Sequence, residues 1–253
     1  MDTNALLDVT AYAGRLLLQS GAETYRVEET MVRIAQSFSI DDAQSFVTPT
    51  GIMLSITYEQ KTYSKILRVQ KRGVDLHRID LINALARKLA KDPCTIQELY
   101  EELQKIEQEP RYSFLTTMFF GALGAGGFAF LFQGTYVEAI AAFVIGLIIK
   151  CMQKLMDHLQ IHMFFSHSIV AGIAALAAFL FGLLYPKANE DTIIISSIML
   201  LVPGLAITNA IRDTMAGDYL SGLARAVEAC LIAIAIAVGI GAVLQCWLLW
   251  RGA

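Results

Sequence analysis

The chain has 253 residues, of which 55% are hydrophobic and 17% charged, with a formal net charge of -3. Soluble domains carry close to a quarter of charged residues, so this composition favours a membrane protein. The small net charge, without a basic stripe of interleaved aromatic residues, argues against a nucleic-acid partner. The four cysteines are scattered singly, without CxxC or histidine at metal-ligand spacing. We therefore expect buried free thiols and neither a metal nor a cofactor.

Charge is distributed unevenly along the chain. Almost all of it lies before Arg111, where an acidic helical pattern ends at Pro110, and long stretches beyond carry none. We therefore predict an N-terminal domain over residues 1–110 and a transmembrane bundle over residues 111–253. Met1 is followed by an amphipathic segment, so no cleavable signal is expected and the first apolar span must direct targeting.

Hydrophobic periodicity in the first part of the chain changes by segment. Helical spacing covers residues 4–20 and 27–38, and Gly21 between them suits the position just past a helix end. Strict alternation over residues 52–59 predicts a strand, with further strands near 63–69 and 45–47. Helical spacing returns over 76–89 and 96–106. The domain is therefore predicted to be α+β, a small antiparallel sheet covered by helices.

The apolar stretches that follow predict about five transmembrane helices, each needing about 20 apolar residues. The expected spans lie near 114–132, 136–154, 166–185, 192–211 and 226–250. The second is weaker, because Glu138 and Lys150 bracket a short uncharged run, and Glu138 is interpreted as a solvated helix end. The predicted fold class is an α-helical integral membrane protein with an N-terminal α+β cytoplasmic domain.

Loop charges predict the orientation of this bundle. The flanks on the side of the N-terminal domain carry Arg111, Lys150, Lys154, Arg212 and Arg225, whereas the opposite flanks hold Lys187 and Arg251 beside several acids. By the positive-inside rule, the N-terminal domain is cytoplasmic.

Small residues recur every fourth position in two of the predicted spans. Ala229, Ala233, Ala237 and Gly241 form one such ladder, and Ala174, Ala178 and Gly182 form the other. Ladders of this kind let helix backbones approach, although the general abundance of alanine in spans explains either one about equally well.

The most informative polar residues lie around the fourth span. Pro203 has no N–H and should kink or break the helix, and Gly204 eases the break. A restarted half-helix presents free N–H groups that suit a carboxylate. Asn209 and Asp213 share one helical face. We favour a functional role for these four, and a solvated cytoplasmic turn for Arg212 and Asp218.

Further candidates lie on either side. Arg225 and Glu228 are three residues apart and could pair at the inner end of the fifth span, and Asp213 or Glu228 could bind an ammonium group or carry a coupled proton. In the N-terminal domain, charge is concentrated at a helix start, where capping alone accounts for it. The candidates there are Gly21, Glu23, Arg26 and Glu28. No nucleophile–base pair or phosphate loop is present, so an enzyme is not expected.

These motifs resemble the threonine/serine exporter family over essentially the whole chain. The resemblance rests on Ser20–Glu28, Thr48–Gly51 and Val202–Gly204, continuing through Asn209, Asp213, Gly217–Tyr219, Ser221, Gly222, Arg225 and Glu228. It implies a cytoplasmic N-terminal domain and, in full-length members, about ten spans that use the proton-motive force to export threonine and serine. This chain is similar to the larger subunit of the split form, which works with a smaller membrane protein and has been linked to succinate export.

We therefore expect a subunit of a proton-coupled exporter in the bacterial inner membrane, surrounded by lipid, with threonine or serine as the small-molecule substrate. A C4-dicarboxylate such as succinate is the alternative. An odd number of spans cannot hold two whole inverted repeats, so a smaller membrane subunit or a homo-oligomer is expected. The rival interpretations are a non-transporting assembly or regulatory subunit and, less favoured, a membrane-anchored enzyme, for which one helix would suffice.

Overall fold

The structure, a computed structural model, describes residues 2–40, 42–70 and 73–252. The chain forms two compact units, one of Met1–Pro110 with Leu205–Val227 and one of Arg111–Gly204 with Glu228–Ala253. In chain order the elements are α1 (Thr3–Gln19), α2 (Thr24–Ser37), β1 (Asp42–Thr48), β2 (Gly51–Tyr58), β3 (Lys61–Arg68), α3 (Leu76–Leu89), α4 (Ile96–Gln108), α5 (Phe114–Leu131), α6 (Tyr136–His158), α7 (Met163–Leu184), α8 (Glu190–Ile198), α9 (Gly204–Met215) and α10 (Tyr219–Arg251).

The first unit contains an antiparallel sheet in the order β1-β2-β3. Alternation in β2 buries Ile52, Leu54 and Ile56, which pack against apolar side chains of α1 and α2 such as Leu16 and Met31. Strands bury alternate side chains because successive Cβ atoms point to opposite faces of the sheet. The predicted α+β domain is therefore confirmed, and β1 is longer than the segment predicted near residues 45–47.

The turn between α1 and α2 depends on Gly21. Its φ is +89°, and a Cβ atom at this position would lie 2.8 Å from the carbonyl oxygen of Gly73. Only glycine adopts such a conformation without strain, and it does so most often just beyond a helix end. The chain then enters α2 at Thr24, where Glu23 is the N-cap residue.

Helix α9 reverses the usual amphipathic pattern within this unit. Its buried residues are Asn209, Ala210 and Asp213, whereas large apolar side chains, among them Ile207 and Ile211, are exposed. In water an exposed apolar face of this kind is unfavourable. In a membrane protein it is the expected pattern, because polar groups avoid hydrocarbon and apolar side chains do not.

The second unit is a helical bundle. Four helices of the described residues are long and apolar enough to cross a membrane, namely α5, α6, α7 and α10. The fourth predicted span is instead two short helices, α8 and α9, separated by residues 199–203. The break predicted at Pro203 is thus confirmed.

Small residues set the helix packing of the second unit. Ala174, Ala178 and Gly182 are buried, as the ladder on α7 predicted. On α10, by contrast, Ala229 is the one buried member of the predicted ladder, and Ala233, Ala237 and Gly241 are exposed. The close approach to α7 occurs at Gly239, where an added Cβ atom would collide with the backbone carbonyl of Ser168.

Glu138 corrects one expectation about charge. Its side chain is buried rather than solvated, with only 4% of the residue exposed. It completes a capping box with Thr135 at the start of α6 and accepts the backbone N–H of Asn189 at 3.0 Å. A buried carboxylate is tolerated where its oxygens receive several hydrogen bonds, and the role of Glu138 is to hold together the two loops of the second unit that contain these residues.

Candidate functional site

Predicted site residues from distant parts of the sequence meet in the first unit. The turn between α1 and α2 supplies Gly21 to Thr24, and the other polar residues come from α9, from α10 and from the turn between these two helices. We call this set the polar junction; it comprises Gly21, Ala22, Glu23, Thr24, Asn209, Arg212, Asp213, Asp218 and Arg225.

Asp213 lies at the centre of the polar junction and is fully buried. Its Oδ1 accepts the backbone N–H of Thr24 at 3.1 Å, and its Oδ2 lies 3.0 Å from Nε of Arg225. Thr24 is the first residue of α2, so the carboxylate lies at a helix N-terminus, which favours negative charge. Arg225, 7% exposed, also donates from Nη2 to the carbonyl of Ala22 at 2.8 Å.

Two amide and hydroxyl contacts add to this pair. Asn209 donates from Nδ2 to the carbonyl of Gly21 at 2.9 Å. Thr24 donates from its hydroxyl to Asp218 at 2.7 Å. A buried polar group is costly unless it is hydrogen-bonded, so separating the two sides would leave these groups without partners. Each contact therefore stabilises the packing of the turn between α1 and α2 against α9 and α10.

Glu23 links the polar junction to α2. Its carboxylate lies 2.5 Å from Nη1 of Arg212 and 3.2 Å from Nε of Arg26. Burial raises the pKa of this carboxyl, but its backbone hydrogen bond and the guanidinium groups of Arg212 and Arg26 outweigh burial and hold the pKa below its usual range. Glu23 is therefore ionised at neutral pH.

Glu28 lies one turn further along α2. Its Oε1 accepts the backbone N–H of Val47 in β1 at 2.7 Å. Burial raises the pKa of Glu28, and the negative charges of Asp218 and Asp213 raise it further, against the opposing effect of the Val47 hydrogen bond.

Three predicted residues lie outside the polar junction. Pro203 is in the segment between α8 and α9, Gly204 begins α9, and Glu228 is half-buried on α10; all three belong to the second unit. A Cβ atom added to Gly204 would meet no neighbouring atom within 4 Å.

Other members of the polar junction were not among the sequence candidates. Arg212 and Asp218 were interpreted as a solvated turn, yet they bind Glu23 and Thr24 of the N-terminal residues. Thr24 itself was not selected. Neither was Ser221, which lies outside the polar junction and donates from its hydroxyl to the carbonyl of Val47 at 3.4 Å. All of them lie inside motifs that the sequence showed, but pairing across about two hundred residues leaves no local signal.

The chemistry of the polar junction is that of anion recognition. Guanidinium, amide and helix N-terminal N–H groups are the donors that proteins use for carboxylates. In this conformation they bind carbonyl and carboxylate groups of the protein itself. The described residues contain no cluster of histidine, cysteine and acidic side chains able to hold a metal ion.

Comparisons with known proteins agree with this architecture. The family model described as "Putative threonine/serine exporter" matches residues 8–247. The "Probable threonine/serine exporter" of Mycobacterium tuberculosis is 26% identical over 245 residues, which cover 95% of this chain and 46% of that protein. The "Threonine/serine exporter" of Corynebacterium glutamicum is 22% identical, over 95% of this chain and 51% of that protein.

A shorter relative has nearly the length of this chain. The "Probable succinate transporter subunit YjjP" of Escherichia coli K12 is 26% identical over 92% of this chain and 91% of that protein. This chain therefore spans about half of the exporters named above and almost all of the transporter subunit. No solved structure matches it.

The family match, the apolar helices and the broken fourth span together identify a multi-pass membrane protein of a transporter family rather than of an enzyme family. They confirm the resemblance noted in the sequence: this chain belongs to the threonine/serine exporter family.

Proposed function

We propose that this chain is a subunit of a secondary-active exporter of small carboxylate-bearing metabolites. The family match over residues 8–247 is the observation that carries this proposal. The proposed location is the bacterial inner membrane with the N-terminal residues in the cytoplasm, because the positively charged loops lie on their side of the predicted spans.

Threonine or serine is the first candidate substrate, and the two long relatives named as exporters of these amino acids support it. Succinate is the second. It is favoured by the correspondence in length with the YjjP relative, which is named as a succinate transporter subunit. All of these solutes carry a carboxylate, so the same donors serve either substrate class.

The proposed substrate-binding residues are Pro203, Gly204, Asn209, Asp213, Arg225 and Glu228. Asn209 and Arg225 already bind carbonyl oxygens of Gly21 and Ala22. A substrate carboxylate offers the same two donors a stronger, charged acceptor. We therefore infer that the turn between α1 and α2 occupies these donors when substrate is absent, and that substrate binding requires the turn to move away.

Proton coupling requires a carboxyl group that gains and loses a proton during the transport cycle. Asp213 and Glu228 are the proposed carriers. In the present conformation burial raises the pKa of Asp213, and the guanidinium of Arg225 opposes this effect by stabilising the ionised form. Displacement of Arg225 by a substrate carboxylate would remove that stabilisation and favour proton uptake, which links the two binding events.

A partner is expected because the chain spans about half of the long relatives. The proposal assigns the remaining spans to a smaller membrane subunit, with a homo-oligomer as the alternative. A non-transporting assembly subunit is the competing interpretation, in which the partner alone forms the pathway.

Transport into proteoliposomes tests the proposal. Uptake of labelled threonine, serine and succinate would be measured under a pH gradient, for this chain alone and with the smaller membrane subunit. We expect saturable uptake of one solute only when both are present. Asp213→Asn should abolish it, whereas Asp157→Asn, at an exposed position on α6, should not. Normal uptake by Asp213→Asn with an unchanged pH dependence would contradict the assignment, and uptake by the partner alone would favour the assembly role.

A further inference from the structure

A second polar site lies in the first unit, away from the residues assigned to transport. A cavity of about 250 Å³ opens between α2 and α3. Three arginines line it: Arg26 and Arg33 from α2, and Arg87 from α3. Tyr25 and Asn83 add polar groups, and Glu29 is the one acidic residue of the lining.

The positive charge continues beyond this cavity. An adjoining cavity of about 590 Å³ shares Arg33 and Arg87 and adds Lys88 and Lys91, with no acidic side chain in its lining. Glu29 pairs with Arg33 at 2.6 Å, and Glu23 pairs with Arg26 at 3.2 Å. Within residues 2–40, 42–70 and 73–252, no acidic group forms an ion pair with Arg87, Lys88 or Lys91. The surface between α2 and α3 therefore has cations in excess, which repel one another until an anion binds.

We propose that the arginine-lined cavity between α2 and α3, here called the basic cavity, binds a small soluble oxyanion as a regulatory ligand. The ligand carries two or more negative charges and is a dicarboxylate or a phosphate. Guanidinium groups match the planar geometry of carboxylate and phosphate oxygens and bind them through paired hydrogen bonds. The smaller cavity lies just below the range of about 300–1,000 Å³ that is typical of drug-sized ligands, which favours an anion smaller than a nucleotide.

Arg26 connects this cavity to the polar junction. Its guanidinium lines the cavity and also pairs with Glu23, which in turn binds Arg212 of α9. An anion that attracts Arg26 weakens its hold on Glu23 and so changes the contacts between the turn and α9. Occupancy of the cavity is thereby coupled to the residues proposed for transport; this coupling, unlike the binding itself, rests on the proposed function.

Direct binding tests the site without any transport measurement. Full-length protein in nanodiscs of zwitterionic lipid would be titrated with succinate and with inorganic phosphate, and with acetate at matched ionic strength, by isothermal calorimetry. We expect saturable binding of at least one divalent anion and none of acetate. The double variant Arg33→Gln with Arg87→Gln should weaken binding at least tenfold.

The matched control is Arg15→Gln, which removes an arginine outside the cavity, on α1. It should bind like the wild type. Equal weakening in this control, or the absence of saturable binding to the wild type, would overturn the proposal. Repeating the titration in discs that contain anionic lipid separates the two sources of phosphate: strong competition there would assign the cavity to a lipid headgroup and overturn the soluble ligand.

Transport supplies the second readout. In proteoliposomes, Arg87→Gln should leave uptake without added anion unchanged and remove any change in rate caused by the bound anion. A further outcome is that the double variant loses binding while the anion has no effect on transport by the wild type. That combination would support the site but refute its coupling to the polar junction.

Discussion

At the scale of single residues, Asp213 and Arg225 form a buried ion pair in the first unit. Removing one member leaves the other as an uncompensated buried charge, which costs about 3–5 kcal/mol. We expect Asp213→Ala and Arg225→Ala each to lower the unfolding temperature strongly. The double variant should cost less than the sum of the two, because it leaves neither charge alone. Thermal unfolding in detergent measures all three.

An exposed ion pair provides the control for that cycle. Lys65 and Asp8 lie 2.5 Å apart, but the side chain of Asp8 is 64% exposed. Exposed pairs contribute about 0–1 kcal/mol, since water already solvates both charges. Asp8→Ala should therefore hardly change the unfolding temperature. A comparable loss at Asp8 and Asp213 would contradict the explanation that burial makes the Asp213 pair costly to break.

Glu28 predicts a pH dependence. A raised pKa means that the folded state binds the proton more tightly than the unfolded state does, so Glu28 destabilises the fold as pH rises through its pKa. Glu28→Gln keeps an acceptor for the Val47 N–H but removes the repulsion by Asp218 and Asp213. We expect a higher unfolding temperature than wild type at neutral pH, with the difference shrinking as acidification protonates Glu28.

Glu23 predicts a pH dependence of stability with the opposite sign. Its pKa is lowered, so its ionised form stabilises the fold above its unfolded pKa, and that contribution is lost as pH falls through the folded value. Glu23→Gln should therefore lower the unfolding temperature at neutral pH. If both substitutions shifted it in the same direction, the electrostatic explanation would be wrong.

At the scale of elements, two glycines on α10 separate packing from helix propensity. Alanine at Gly239 would press a Cβ atom against the backbone of Ser168 in α7, whereas a Cβ atom at Gly241 meets nothing within 4 Å. Overpacking of a tight site costs about 1–3 kcal/mol, and glycine to alanine in a helix gains about 1 kcal/mol. Gly239→Ala should therefore lower the unfolding temperature and Gly241→Ala should not. Equal effects would contradict the close approach of α7 and α10.

The same helix shows which features of packing sequence patterns can predict and which they cannot. A ladder of small residues predicted one packed face on α10, but every fourth alanine also occurs by composition, and the buried contact is at Gly239 instead. Local periodicity predicted the helices and strands of the first unit well, since it depends only on neighbours in sequence. The break at Pro203 was predictable for the same reason, because a missing N–H acts locally.

The polar junction could not be predicted in the same way. Its two halves were each visible as motifs, at Ser20–Glu28 and from Asn209 to Arg225, but nothing local indicates that Thr24 binds both Asp213 and Asp218. The face of α9 was equally hidden: a polar face on a helix usually faces water, and here it is buried within the first unit.

At the scale of the whole molecule, the path of the chain constrains the number of membrane crossings. Residues 205–227 belong to the same compact unit as the residues up to Pro110, so both stretches are expected at one side of the membrane. Three continuous helices, α5, α6 and α7, lie between them in sequence. Three crossings leave the chain on the opposite side. The segment of α8 and the break that follows must therefore return it, which makes a fourth crossing before α10 and leaves α10 as the fifth.

Cysteine accessibility tests this topology. With Cys94, Cys151, Cys230 and Cys246 replaced by alanine, single cysteines would be introduced at the exposed positions Glu101 and Lys187. Because three crossings separate these positions, we expect a membrane-impermeant maleimide to label Lys187→Cys in intact cells and Glu101→Cys only in inside-out vesicles. By the positive-inside rule, the excess of basic residues on the flanks near Glu101 predicts that this side is cytoplasmic. Labelling of both from one side would contradict the three crossings by α5, α6 and α7. The opposite assignment of sides would contradict the cytoplasmic placement of the N-terminal residues.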